Sequence, residues 1–203
     1  MRLSFIIAFT GIDGAGKTFY SKWLYNHLRR IYGKGVHYVH IFSYRYMPFK
    51  HMLSIIGLRN IVRNKLMGDP YHSKGGALKL YSIILLIDAI FTVFLWKIRG
   101  KIIISDRYFY DILAIMSCSN MLSFRTASYI ARLIPRPDKI FLFKVDYKTA
   151  YHRKMEHPID FFKRLEKFYD CIEKVIKPLI IDTKRYNSIS IKKRILSFLC
   201  EIR

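Results

Sequence analysis

The stretch Gly11-Ile12-Asp13-Gly14-Ala15-Gly16-Lys17-Thr18 fits G-x-x-x-x-G-K-[ST] in full. In such a loop the glycines permit a tight turn, so that backbone N–H groups point at the β-phosphate of a nucleotide. The lysine reaches the β/γ-phosphates, and the hydroxyl of the next residue ligates Mg²⁺. Leu3–Phe9, before the loop, is apolar and reads as a strand. Thr18–Tyr32, after it, carries helical spacing until Gly33 and Gly35 stop it. Strand, loop, helix is the context the chemistry needs. ATP is therefore expected on Gly11, Asp13, Gly14, Ala15, Gly16, Lys17 and Thr18, with Lys17 catalytic and Thr18 holding the metal.

Outward from this loop, apolar runs alternate with helical stretches. Further strands are expected at Val36–Phe42, Lys101–Ser105, Lys139–Val145 and Pro178–Asp182. Helices are expected at Phe49–Leu66, Ala77–Ile98, twice before Pro135, then around Tyr147–Met155, Phe161–Ile176 and Ser188–Ile202. Strands alternating with helices imply a parallel sheet covered on both faces. No repeat, linker or polar tract divides the chain, so residues 1–203 read as one α/β domain.

The composition agrees. A chain of 203 residues with 52% hydrophobic residues buries a sizeable core and is no disordered tail. Its formal charge of +22 favours phosphate-bearing partners: nucleotides, nucleic acid or an anionic membrane. Cys118, Cys171 and Cys200 lie far apart, without metal-ligand spacing, which suits a reducing cytoplasmic setting. Leu80–Trp96 is slightly short for a span and carries Asp88 near its centre. A helix apolar all round, buried between the sheet and its neighbours, is the expectation.

A second anchor is Ser105-Asp106-Arg107-Tyr108, directly after a predicted strand. At the carboxyl end of a parallel strand, Asp106 faces the same crevice as the loop. An acid there holds Mg²⁺ or its waters, and an arginine clamps a phosphate.

Taken together, these motifs resemble the thymidylate kinases among the P-loop nucleoside monophosphate kinases. Phe9 to Thr18 is similar to that family's opening and Ile104-Ser105-Asp106-Arg107-Tyr108 to its second signature. Pro137-Asp138-Lys139-Ile140-Phe141-Leu142 is similar to its Pro-Asp lead into a strand. Ala150-Tyr151-His152-Arg153 resembles the helix that leads into its lid. The resemblance spans roughly Leu3 to Asp182. It implies a three-layer fold with a five-stranded parallel sheet, an acceptor-binding arm near residues 43–75 and a short lid near 154–162. The implied reaction moves the γ-phosphoryl of ATP, with Mg²⁺, onto a nucleoside monophosphate, dTMP first. Asp13, Arg45, Arg107, Tyr108 and Asp111 are then expected at the acceptor, and Thr18 and Asp106 at the metal. Lys17, Asp106 and Arg153 are expected to be catalytic. Arg153 is the first choice because Gly14-Ala15 puts no arginine in the loop; Lys154 and Arg164 stand nearby. Family members are commonly homodimers, and the apolar Leu80–Trp96 helix could serve as the interface.

The departures concern the substrate. Thymidylate kinases usually read the base with an arginine in the helix before the Asp-Arg-Tyr strand and a glutamine after it. Here no arginine falls between Lys79 and Lys97, and the chain contains no glutamine. Asp88 and Asp111 are candidates for the acceptor pocket, each against a purely structural role. Two other readings stay open: a kinase of the same fold acting on another phosphorylated or sugar-like metabolite, and a basic P-loop protein that binds nucleic acid or membrane.

Overall fold

The computed structural model describes residues 4–41 and 76–200. The predicted Phe49–Leu66 helix, Arg45 and all of the expected acceptor arm at 43–75 lie outside the described residues. Within them the order is β1 (Phe5–Gly11), α1 (Lys17–Tyr32), a 3-10 turn (Gly33–Gly35), β2 (Val36–His40), α2 (Gly76–Ile98) and β3 (Ile102–Asp106). There follow α3 (Phe109–Cys118), α4 (Phe124–Leu133), β4 (Lys139–Lys144), α5 (Tyr147–Lys154), α6 (Ile159–Ile176), β5 (Leu179–Asp182) and α7 (Ser188–Cys200).

Every strand pairing is parallel, in the order β2-β3-β1-β4-β5. β1 is central and all six of its residues after Phe5 are buried, which is why it reads as an unbroken apolar run. Parallel pairing brings all carboxyl ends to one edge of the sheet. There the chain leaves β1 for α1, with β3 on one side and β4 on the other. Phe9 Cα registers with Asp106, and Gly11 with Phe143, so the two sequence motifs end side by side.

Aromatic packing supports that edge from below. Phe9 lies 5.2 Å from Phe141 and 5.7 Å from Phe143, and Tyr20 of α1 stacks on Phe143 at 5.4 Å. Such pairs contribute beyond their buried area.

The helix α2 corrects one expectation. Leu85, Asp88, Ala89, Thr92, Val93 and Trp96 are buried, but Ile83, Ile87, Ile90, Phe91, Phe94 and Ile98 are exposed, Phe94 by 60%. The exposed positions recur three, four or one residue apart, a second apolar stripe beside the buried one. An all-apolar helix is therefore covered on one face only. Among the described residues, no helix is long and apolar enough to cross a membrane. Cys118 and Cys171 are free thiols, the first buried and the second exposed.

Candidate active site

The loop after β1 is shaped by close approach. Gly11 has φ +135°, and a Cβ on it would lie 2.1 Å from the Phe143 carbonyl oxygen, so only glycine fits. Gly16 is left-handed and no side chain caps α1. The N–H groups of Phe19 and Tyr20 turn back onto the Gly16 carbonyl at 3.1 and 3.2 Å, and the first turn of α1 carries no acid. That end of the helix is an anion cradle.

Lys17 is folded over the loop. Its Nζ donates to the Gly11 carbonyl at 2.7 Å, the Ile12 carbonyl at 2.8 Å and Asp13 Oδ1 at 3.2 Å. Burial lowers the Lys17 pKa, with Arg107 adding to it and Asp13 opposing it. Arg107 reaches the same oxygen from β3: its Nη2 lies 2.6 Å from Asp13 Oδ1. Burial alone would raise the Asp13 carboxyl, but Lys17 and Arg107 overcome it and bring it to about 2. For Arg107 burial pulls down and Asp13 more than restores, raising its pKa. One carboxylate oxygen thus touches both of the cations expected to bind phosphate.

Arg107 is itself a non-glycine residue at φ +70°, a conformation costing about 1–3 kcal/mol. It is held there by its N–H on the Phe9 carbonyl at 2.9 Å and by Ser105 Oγ donating to its own carbonyl at 2.7 Å. The strain aims its guanidinium across the sheet edge toward the loop.

Asp106 is fully buried; its Oδ2 accepts from the Tyr38 hydroxyl at 2.8 Å, and among the described residues its Oδ1 has no partner. A buried carboxylate oxygen without a donor is costly, and its natural partner is a cation. Thr18 is exposed at the start of α1. Among the described residues no group of three or more His, Cys, Asp or Glu side chains could hold a metal alone. The donor set therefore fits Mg²⁺ held by one carboxylate, one hydroxyl and the oxygens of a nucleotide.

Arg153 comes to the loop from α5, its Nη1 donating to the Gly14 carbonyl at 3.0 Å. The structure thus brings Asp13, Lys17, Arg107 and Arg153 together. Arg164 points elsewhere. It donates to the Ser117 carbonyl at 3.0 Å and to Asn120 Oδ1, tying down the end of α3. The expected lid reduces to four residues between α5 and α6, opening at a left-handed Met155.

Two acceptor expectations are corrected. The Tyr108 ring is in the core, its hydroxyl donating to the Pro135 carbonyl at 2.6 Å, with Phe109 and Tyr110 rings each 5.2 Å away. Asp111 is 1% exposed and spends its oxygens on four donors. These are Thr10 Oγ1 at 2.8 Å, Gly11 N–H at 3.3 Å, Tyr108 N–H at 2.8 Å and Tyr169 OH at 3.0 Å. It caps α3 and anchors the start of the phosphate loop, presenting no surface to a ligand. Asp88 is likewise buried, on the inner face of α2. Lys144, at the end of β4, is engaged by Asp170 and Glu173. Asp146 caps α5 through Thr149.

The comparisons with known proteins agree with this geometry. A structure titled as thymidylate kinase from Ehrlichia chaffeensis superposes with a TM-score of 0.61 at 20% identity, covering 96% of this chain and 97% of that one. The chain has the thymidylate kinase fold. Its sequence is also 26% identical over 202 residues to a protein named probable thymidylate kinase from Methanocaldococcus jannaschii. That match covers 97% of this chain and 96% of the relative. No family model matches the chain. The resemblance in the motifs is thus borne out along the whole length of a divergent thymidylate kinase-like chain.

The residue that sequence reading missed is Tyr38. It lies 68 positions from Asp106 and belongs to no motif, and no spacing in the sequence links the two.

Proposed function

We propose that this chain transfers the γ-phosphoryl group of ATP to a nucleoside monophosphate, with dTMP yielding dTDP as the leading acceptor. The observation that carries the reading is the shared Asp13 oxygen, which links Lys17 on the nucleotide side to Arg107 on the acceptor side. A transferase needs two phosphate-binding cations within one phosphoryl group of each other, and here a single carboxylate spaces them. The similarity to a probable thymidylate kinase supports the acceptor class.

In the reaction an oxygen of the acceptor phosphate forms a bond to the γ-phosphorus, and the bond from that phosphorus to the β–γ bridging oxygen breaks, releasing ADP. Little covalent chemistry falls to the protein; positioning and positive charge lower the barrier. Lys17 moves from the loop carbonyls to the β/γ-phosphates. Arg107 exchanges Asp13 for the acceptor phosphate, and the freed Asp13 accepts from the acceptor sugar. Arg153, already on the loop, stabilises charge on the transferred group. Thr18 and Asp106 would hold Mg²⁺, which when bound neutralises phosphate charge. The free Cys118 and Cys171 thiols support a cytoplasmic setting. The exposed apolar stripe of α2 supports assembly as a homodimer through that helix.

The missing glutamine favours a second reading within the same fold, an acceptor other than dTMP. A coupled ADP-release assay with Mg·ATP and dTMP, dUMP, AMP, CMP and GMP separates the two, with Lys17→Ala as the inactive control. Preference for dTMP is expected. Turnover on none of the five, with ATP still bound, would refute the nucleotide acceptor.

A further inference from the structure

We propose that Tyr38 is a positioning residue for the metal–nucleotide complex, fixing which oxygen of Asp106 faces the cation. The proposal rests on the nucleotide-binding half of the function above and not on the identity of the acceptor.

A carboxylate on a short side chain exchanges its two oxygens by rotation about one bond. At Asp106 that rotation is stopped by a single donor. The Tyr38 hydroxyl occupies Oδ2 at 2.8 Å, while Oδ1 is buried with no partner among the described residues. Tyr38 reaches it from the neighbouring strand: its Cα registers with Ile104, two residues short of Asp106. The phenol is fixed in turn. Its ring packs against Tyr25 at 5.6 Å, and its oxygen lies 3.5 Å from Ser21 Oγ. Ser21 Oγ is 3.2 Å from the Thr18 carbonyl, to which it donates.

Ser21 and Tyr38 stand between the two residues that fit the metal, Thr18 and Asp106, on α1, β2 and β3, three elements brought together only by folding. Each hydroxyl has one proton: that of Tyr38 goes to the carboxylate and that of Ser21 to the Thr18 carbonyl, so the two hydroxyl oxygens meet as a packing contact at 3.5 Å. Tyr38 therefore holds Oδ2 of Asp106 and leaves Oδ1 without a donor among the described residues. Groups that orient a metal ligand in this way typically change metal affinity or activity about 10- to 100-fold when removed.

Tyr38→Phe keeps the ring and its packing and deletes only the hydroxyl. The probe is Mn²⁺ with ADP: free Mn²⁺ is read by its paramagnetic resonance signal, and metal-free ADP binding by calorimetry. Mn²⁺ binding to the ADP complex should weaken about 10-fold or more, with metal-free ADP affinity nearly unchanged and a lower Tm in the unliganded protein, because the buried Asp106 carboxylate loses its donor. In an Asp106→Asn background the same substitution should have no further effect. Unchanged Mn²⁺ affinity in Tyr38→Phe overturns the proposal. So does an equal loss in the Asp106→Asn background, or joint loss of Mn²⁺ and metal-free ADP binding, which marks a merely structural residue. Wild-type protein that binds neither ADP nor Mn²⁺ overturns this assignment and the nucleotide reading together. Failure on the acceptor panel alone leaves it standing.

Discussion

Replacing Asp13 by asparagine removes the carboxylate oxygen that Lys17 and Arg107 share. In the folded chain this carboxyl titrates at about 2 instead of 3.8. At about 1.4 kcal/mol per tenfold, the difference corresponds to roughly 2 kcal/mol of stability at neutral pH. The side chain is 19% exposed, so solvent screens only a small part of it. For a chain of this length that is a fall in Tm of roughly 5–10 °C. The pH dependence follows from the direction of the shift. The folded carboxyl gives up its proton more readily than the unfolded one, so the gain is complete above about pH 4. It fades as the pH falls toward 2, with about half remaining near pH 3. Urea unfolding of the unliganded wild type and Asp13→Asn, followed by circular dichroism from pH 7 to pH 3, measures both. An equally stable variant at pH 7, or a gap that stays constant down to pH 3, would refute the coupling of Asp13 to the two cations.

Gly11→Ala should cost about 3 kcal/mol or more, because its Cβ meets the Phe143 backbone and the φ of +135° disfavours any side chain; thermal denaturation would show a large loss, and an unaltered Tm would contradict it. Arg153→Ala should lower kcat about 100-fold or more with modest change in stability, as steady-state kinetics would read. Arg164→Ala should instead cost about 1 kcal/mol of stability through the lost contacts at Ser117 and Asn120 and leave the kinetic constants alone; equal kinetic losses in the two variants would reverse their assignment. Phe94→Glu, on the exposed stripe of α2, should convert a dimer to monomer in sedimentation without lowering monomer stability, and a wild type that sediments as a monomer would remove the dimer from the reading.

Most of the fold was legible in the sequence. Each of the five strands, and every described helix for which bounds were expected, lies within about three residues of them, and two helices precede Pro135 as expected; each is set by a local period and by glycines or prolines at its ends. The phosphate loop was legible for the same reason: its glycines, lysine and threonine act through backbone geometry within eight consecutive residues. What Asp111, Tyr108 and Arg164 do was not. Their types and positions suit ligand contacts equally well, and only burial and partners from distant segments separate the two roles. The half-exposed α2 is a parallel case. An apolar stripe says that a face avoids water, and the tertiary packing decides which of two stripes is covered.

By itself, then, the sequence determined a parallel α/β sheet, a nucleotide cradle after its central strand and an Asp-Arg pair on the strand beside it. Only the tertiary structure decided that Lys17 and Arg107 meet on one oxygen of Asp13, that Arg153 lies on the loop and that Tyr38 braces Asp106. Motifs are carried by contacts a few residues apart, which spacing records. The contacts of Arg107 with Asp13, Tyr38 with Asp106 and Arg153 with Gly14 close gaps of 68 to 139 positions, through strand register and helix packing that no spacing encodes.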